Sequence, residues 1–488
     1  MADENASPRR KYLWLAGAMI ITASAVLLWW YMRPRTIRVW VLSDYSFRER
    51  RNWGALLDSR FREVNRIFSG TGVAWRVVNE EHLDPTAQMT QLDARRFELE
   101  RSEEAAADVV VSVSGQGEGL RLGSASPFSH AALVVDFPQQ SETQNALNLA
   151  HELALLFGAP VDPATSGTVM AVPPQNGGFS PKTAALIREL RGYDFAAGIS
   201  ALTDRWEHKA VEAIAGAYTR PSPKPLAYAH VTVALAFQAE RHSGDAIPEA
   251  REAIIADPQS VDARQALAHA LMDDLQSTAA ARELREALKV FPQNASLHGF
   301  LGTVLGAQAN TDEALDELHT AEGLDPKNAN YPVAVGTVLV AQTERVDEAM
   351  AEFQKAVQLD PHNLQAQNWL HRMNDLIAQA RTDLETDRRK ERETPLDPTV
   401  HYRLGMEEAR LGHRDNSRQE LQKAVELDPY NGHALSDLAA LDYYAHDYAA
   451  ARRHIDAARA TGFDPPLALV NSIDRAEKPM LVNPIRAK

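Results

Sequence analysis

The chain has 488 residues, 45% apolar and 24% charged, enough for about three domains with sizeable cores and too apolar for wholesale disorder. Its 51 Lys and Arg against 66 Asp and Glu leave a net charge of −15, which argues against nucleic acid, whose binding rests on neutralising phosphates. It contains no cysteine, which excludes disulfides, thiolate zinc sites, iron–sulfur clusters and a cysteine nucleophile.

After a short tail (1–11), residues 12–32 carry no charge and are long enough, as a helix, to cross a bilayer core of roughly 30 Å. Tyr12 and Trp14 at one end, and Trp29, Trp30 and Tyr31 at the other, form aromatic belts. A signal-peptide site at Ala23-Ser24-Ala25 competes with this reading, but the apolar run continues from Val26 to Met32. The expectation is a single-pass anchor. The tail ending in Arg9-Arg10-Lys11 stays in the cytoplasm and the bulk of the chain lies outside it, although Arg33, Arg35 and Arg38 oppose that orientation.

Residues 36–193 alternate strand and helix patterns. Thr36–Leu42, 73–78, 108–113 and 130–137 read as strands; 52–68, 142–157 and 181–191 read as helices, together an α/β domain. The helix over 142–157 carries His151-Glu152, followed by Gly158. In a zinc peptidase two histidines four residues apart grip one metal from a single helix face, and the neighbouring Glu deprotonates the attacking water. His151, Glu152 and Gly158 match three positions of His-Glu-x-x-His-x-x-Gly-x-x-His, and this domain resembles the metzincin zinc peptidases. Val64-Asn65-Arg66-Ile67-Phe68 before Gly72-Val73, Met170 at a turn, and Phe179-Ser180-Pro181 opening a helix extend the resemblance. It implies a metzincin-like fold with Met170 beneath the site. Leu155 and Val161, however, stand where the second and third ligands belong. Catalytic zinc needs about three protein ligands, so the expectation is a degenerate domain without zinc, cofactor or catalysis. The rival is an active zinc peptidase that recruits His130 or Asp162. Gly115-Gln116-Gly117-Glu118-Gly119 lacks the Lys of a phosphate loop and reads as a polar loop.

From 227 to 465 the sequence repeats. Pro258, Pro292, Pro326 and Pro361 are spaced by 34, 34 and 35 residues, and Pro429 follows 68 later. Five residues before each proline stands Ala253, Ala287, Ala321, Ala356 or Ala424; twelve before stands Ala246, Ala280, Ala314, Ala349 or Ser417. Small residues let two helices approach, and proline ends the second one. Eight before lie Leu284, Leu318, Phe353 and Leu421, which fill the layer between hairpins, with Ala250 in the first unit. The pattern resembles tetratricopeptide repeats, in units 227–258, 261–292, 295–326, 330–361, 398–429 and 432–465. The last keeps Ala451, Ile455 and Ala458. Residues 364–397 have the right length, but ten of the 13 residues in 381–393 are charged, so a degenerate repeat or an exposed connecting helix is expected. Residues 194–226 read as a helix, 202–218, and an extended Pro-rich linker; 466–488 read as a tail.

The resemblance to tetratricopeptide repeats implies a superhelix whose first helices line a peptide groove. Those helices offer Tyr228, Val231, Leu235, His269, Met272, Tyr331, Val338, Tyr402, Met406, Tyr443 and Tyr444. The expected partner is a protein or peptide with apolar anchors, bound with little salt dependence. The functional expectation is a membrane-anchored interaction protein with an inactive peptidase-like domain.

Overall fold

The computed structural model describes residues 33–50, 52–82, 107–115, 123–175, 177–340 and 345–477. The chain divides into two compact units, Met1–Asp274 and Leu275–Lys488.

The first unit holds a five-stranded sheet: β1 (Arg35–Ser43), β2 (Val73–His82), β3 (Val109–Ser114), β4 (Gly123–Ala125) and β5 (Ala131–Val135), in the order β2-β1-β3-β5-β4. All neighbours are parallel except β4, which runs antiparallel to β5. Every residue of β3 is buried, as expected of a central strand covered on both faces. The helices α1 (Tyr45–Arg48), α2 (Trp53–Ile67), α3 (Glu142–Leu155) and α4 (Pro181–Leu190) supply that cover. Ser141 and Ser180 cap α3 and α4, and Pro181 takes the first helical position, where no backbone donor is needed. An ion network ties α2 to α3. Arg60, 3% exposed, donates to Asp136 and, at 2.9–3.0 Å, to Glu142; Arg50 reaches the same two carboxylates at 2.8 Å.

A 3-10 turn (Phe195–Ala201) leads to α5 (Asp204–Ala217), and α6 (Pro225–Ala239), α7 (Ser243–Ala256) and α8 (Val261–Asp273) follow. Helix α5 falls within the expected helix, 202–218, and the Pro-rich stretch between it and α6 is not helical. Helix α5 packs on both α4 and α6, and Tyr218 stacks on Tyr228 with ring centres 4.1 Å apart. One apolar core therefore runs from the sheet through Ile214 into Val233 and Phe237. Pro225 opens α6 rather than closing a spacer.

The second unit is helical: α9 (Ser277–Val290), α10 (Ala295–Ala307), α11 (Thr311–Leu324), α12 (Asn330–Val340), α13 (Val346–Leu359), α14 (Leu364–Glu393), α15 (Pro398–Arg410), α16 (Arg414–Leu427), α17 (Gly432–Tyr444), α18 (Tyr448–Ala460) and α19 (Leu467–Glu477). The small residues of the repeat pattern are buried without exception, and so are the larger contacts Leu284, Leu318, Phe353 and Leu421. The Asp-Pro pairs have a local reason. At Asp257, Asp360 and Asp428 the carboxylate accepts the amide two residues on, closing a turn as proline stops the helix. Ser260, Asn363 or Asn431 then caps the next helix.

Within residues 364–397, Leu364–Glu393 form one 30-residue helix instead of a hairpin. It does bury a stripe, Ala366, Met373, Ala380 and Asp387, seven residues apart. Ion pairs rather than apolar contacts satisfy its charged half: Asp387 meets Arg403 at 3.2 Å, and Arg388 meets Glu391, Glu408 and Glu420. The expected tail also contains α19, whose Val470 and Ile473 close the core of the last hairpin. Among the described residues no helix is long and apolar enough to cross a membrane; the expected span, 12–32, lies outside them.

Candidate functional site

The His151-Glu152 pair sits on α3. His151 is buried, and its Nδ1 faces the carbonyl oxygen of Val169 at 2.9 Å; burial holds the imidazole below its ordinary pKa. Val169 belongs to the turn that carries Met170, which is fully buried. The Met170 carbonyl accepts the amide of Asp162 at 2.8 Å. Gly158 ends the helix with φ +71°, and a Cβ there would meet Ile214 Cδ1 at 2.8 Å, so both conformation and packing require glycine.

Around His151 the other motif positions serve the fold. Leu155 packs against the apolar core, and Val161 is half-buried, its carbonyl accepting from Arg220 at 2.8 Å. The Asp162 carboxylate takes the Thr168 hydroxyl at 2.6 Å, and a Cβ at Gly198 would lie 2.8 Å from His130 Nδ1. Glu152 is 4% exposed, and its Oε2 has no hydrogen-bond partner among the described residues; burial pushes its carboxyl up to about 8. Gly123 on β4 makes room for it, since a Cβ there would sit 2.8 Å from Glu152 Cγ. Neither His151 nor Glu152 joins a converging set of metal-binding side chains among the described residues. The set that does converge is Glu391, His401 and Glu420, with Arg388 bonded to both glutamates. One imidazole is too few donors for catalytic zinc.

The second candidate is a cavity of about 730 Å³ in the second unit, within the range of ligand sites. It lies among α10, α12, α17 and α19. Val338, Tyr443 and Tyr444, all expected groove residues, line it. Asp437 lines it too and is bonded to Tyr402; burial raises its carboxyl to about 6. Its Oδ2 has no partner among the described residues. Tyr443 donates its hydroxyl to Asp312, which bonds α17 to α11 across the groove. Arg345 lies over the ring of Tyr444, 5.6 Å from its centre.

The remaining expected groove residues are placed otherwise. Tyr331 is buried against Gly299, and Met406 is half-buried. In the first unit Val231 is buried, Tyr228 and Met272 are half-buried, and Leu235 and His269 are exposed. Sequence reasoning missed Asp312, Asp437, Thr337 and Ser472. They are small polar residues without a periodic signal, and α19, which brings Ser472, was not expected.

Residues 265–329 and 301–363 match one tetratricopeptide-repeat family model, and residues 398–431 match a second. These segments are tetratricopeptide repeats. Among solved structures, a thermophilic TPR protein of Thermus thermophilus is 16% identical, with 44% of this chain and 98% of that one covered at a TM-score of 0.26. YrrB, a TPR protein with an unusual peptide-binding site, is 19% identical over 43% and 90%, TM-score 0.25. PilF of Pseudomonas aeruginosa is 20% identical over 52% and 97%, TM-score 0.26. No curated protein matches the chain.

Proposed function

We propose that this chain is a membrane-anchored interaction scaffold whose tetratricopeptide repeats hold a protein segment in the groove of the second unit. The observation that carries the reading is the cavity lined by Val338, Tyr443 and Tyr444: apolar and aromatic side chains presented by helices of different hairpins to one space. Residues 12–32 serve as the anchor, with the remainder outside the cytoplasm, on the strength of the uncharged run and the Arg-Arg-Lys tail. The partner is a protein, not a nucleic acid, given the net charge of −15.

The test is affinity capture from detergent-solubilised membranes with the full chain and with Val338→Glu. Loss of a partner in the variant, with unchanged circular dichroism, supports the reading. Equal recovery of every bound protein by the two forms sinks it. A reporter active only in the cytoplasm, fused after Lys488, tests the orientation; strong activity there reverses it.

In the same proposal the metzincin-like domain is an inactive peptidase that uses no cofactor. Leu155 and Val161 at the ligand positions support this. One observation favours the rival, an active zinc peptidase with unusual ligands. The Nδ1–Val169 contact leaves His151 Nε2 as the lone-pair nitrogen, the arrangement of a metal-binding imidazole. Metal analysis of the purified chain decides between them. Far less than one zinc per chain is expected; a full equivalent lost on His151→Ala establishes the rival.

A further inference from the structure

The groove is acidic. The 730 Å³ cavity brings Asp312 and Asp437 into its wall and no Lys or Arg. An adjoining hollow of about 710 Å³ shares Asp312, Tyr443, Tyr444 and Ser472 with it, so the two lie side by side along one face. The hollow adds Glu313, Asp316 and Glu348. Of its three arginines, Arg345 and Arg414 are both bonded to Glu348, and Arg475 to Asn310. Glu313 is paired with Arg285, and Asp312 accepts from Tyr443, but the five carboxylates of the two linings still outnumber their three arginines, and Asp437 Oδ2 is a buried acceptor with no donor among the described residues.

One rim of this groove is α19. Leu469 and Ser472 line the cavity, and Arg475 and Ala476 line the hollow. The chain then continues, outside the described residues, as Lys478-Pro479-Met480-Leu481-Val482-Asn483-Pro484-Ile485-Arg486-Ala487-Lys488. This segment carries three cations, no acid and four large apolar side chains. It follows Glu477, next to Ala476 in the lining of the hollow, and at roughly 3.3 Å per extended residue its eleven residues reach roughly 36 Å.

We propose that residues 478–488 occupy this groove as an intramolecular ligand: Met480, Leu481, Val482 and Ile485 enter between Val338 and the two tyrosines, and the cations face Asp312 and Asp437. This rests on the reading of the groove as a partner site and adds its regulation. Tethered at the rim, the segment acts at an effective concentration of about millimolar. An external partner must displace it, so the scaffold answers only to segments that bind more tightly or arrive in high local number.

The absence of cysteine makes the test specific. In the full chain, Leu481→Cys is paired with Thr337→Cys in the cavity wall, or with Thr320→Cys, which is exposed and outside the groove lining. Under mild oxidation at high dilution, the intramolecular disulfide is expected to form at least tenfold faster in the groove pair. Asp312→Asn with Asp437→Asn, or high salt, should bring that rate close to the control. Equal rates in the two pairs overturn the proposal. Gln365→Cys, exposed at the cavity edge, replaces Thr337→Cys if that variant fails to fold. The two readings fail separately. Equal rates alongside Val338-dependent capture refute self-docking alone. A fast groove pair alongside capture indifferent to Val338→Glu refutes the partner reading alone.

Discussion

Glu152→Gln should make the protein more stable, and the gain should grow with pH. Glu152 lies beneath β4, its Oε2 without a partner among the described residues. Burial raises its carboxyl from the ordinary 4.5 to about 8. Between those two values the unfolded chain is ionised at this position while the folded chain keeps the proton. The folded state binds the extra proton, so stability is full below about 4.5 and falls as pH rises through the window. At roughly 1.4 kcal/mol per pH decade, the cost is on the order of 3 kcal/mol at pH 7 and 4–5 kcal/mol above pH 8. Glutamine has the same shape and cannot ionise, so the substitution removes the pH-dependent cost. The assay is urea denaturation of the full chain at several pH values from 5 to 8.5. Tryptophan fluorescence reports the first unit through Trp40, Trp53, Trp75 and Trp206. The two forms should nearly coincide at pH 5 and diverge steadily, the variant unfolding later. A constant offset across the range, or a variant weaker at pH 8, would refute the reasoning. The latter outcome would mean that a cation holds Glu152 ionised.

Other substitutions test the packing argument. Phe353→Ala removes a fully buried ring stacked on Trp369 at 5.4 Å and should cost about 3–5 kcal/mol, read as a lowered urea midpoint by far-UV circular dichroism. Gly302→Val places a Cβ 2.6 Å from Leu318 Cγ and 2.9 Å from the Ala314 carbonyl, and should cost about 1–3 kcal/mol, lowering the melting temperature. Gly323→Ala meets open space inside α11 and should instead gain up to about 1 kcal/mol by the same measurement. Asp136→Asn leaves the buried Arg60 with Glu142 alone and should cost about 3 kcal/mol, seen as a shifted urea midpoint of the first unit.

The helical repeats were legible because each requirement recurs. Ala314, Ala349 and Ser417 must be small for the same reason, and a period near 34 exposes the shared constraint. The four longer strands were legible from their β-branched runs. Strand β4 was not: three residues after a glycine-rich loop carry no period, and only its pairing with β5 makes them a strand. Helix α19 escaped for a different reason. Its fixed length and direction come from docking Val470 and Ile473 on the last hairpin, a contact that no local pattern announces. Near His151, the aliphatic character of Leu155 and Val161 could be read directly. The state of Glu152 could not, since its ionisation depends on what covers it.

What the amino-acid sequence determined by itself was therefore whatever is local or periodic: strands, repeat hairpins and caps. Tertiary structure alone decided which distant residues share a space. It joined the sheet to the first repeats through α5, a helix expected only to lead into a linker, because Ile214 and Phe237 pack into one apolar core. It made a single helix of residues 364–393, whose charged half is tied by ion pairs to α15 and α16. It also gathered Asp312, Val338, Asp437 and Tyr443 around one cavity, although more than a hundred residues separate the first from the last. Such groupings follow from the free energy of packing whole helices against one another, a sum over contacts that no short stretch of sequence contains.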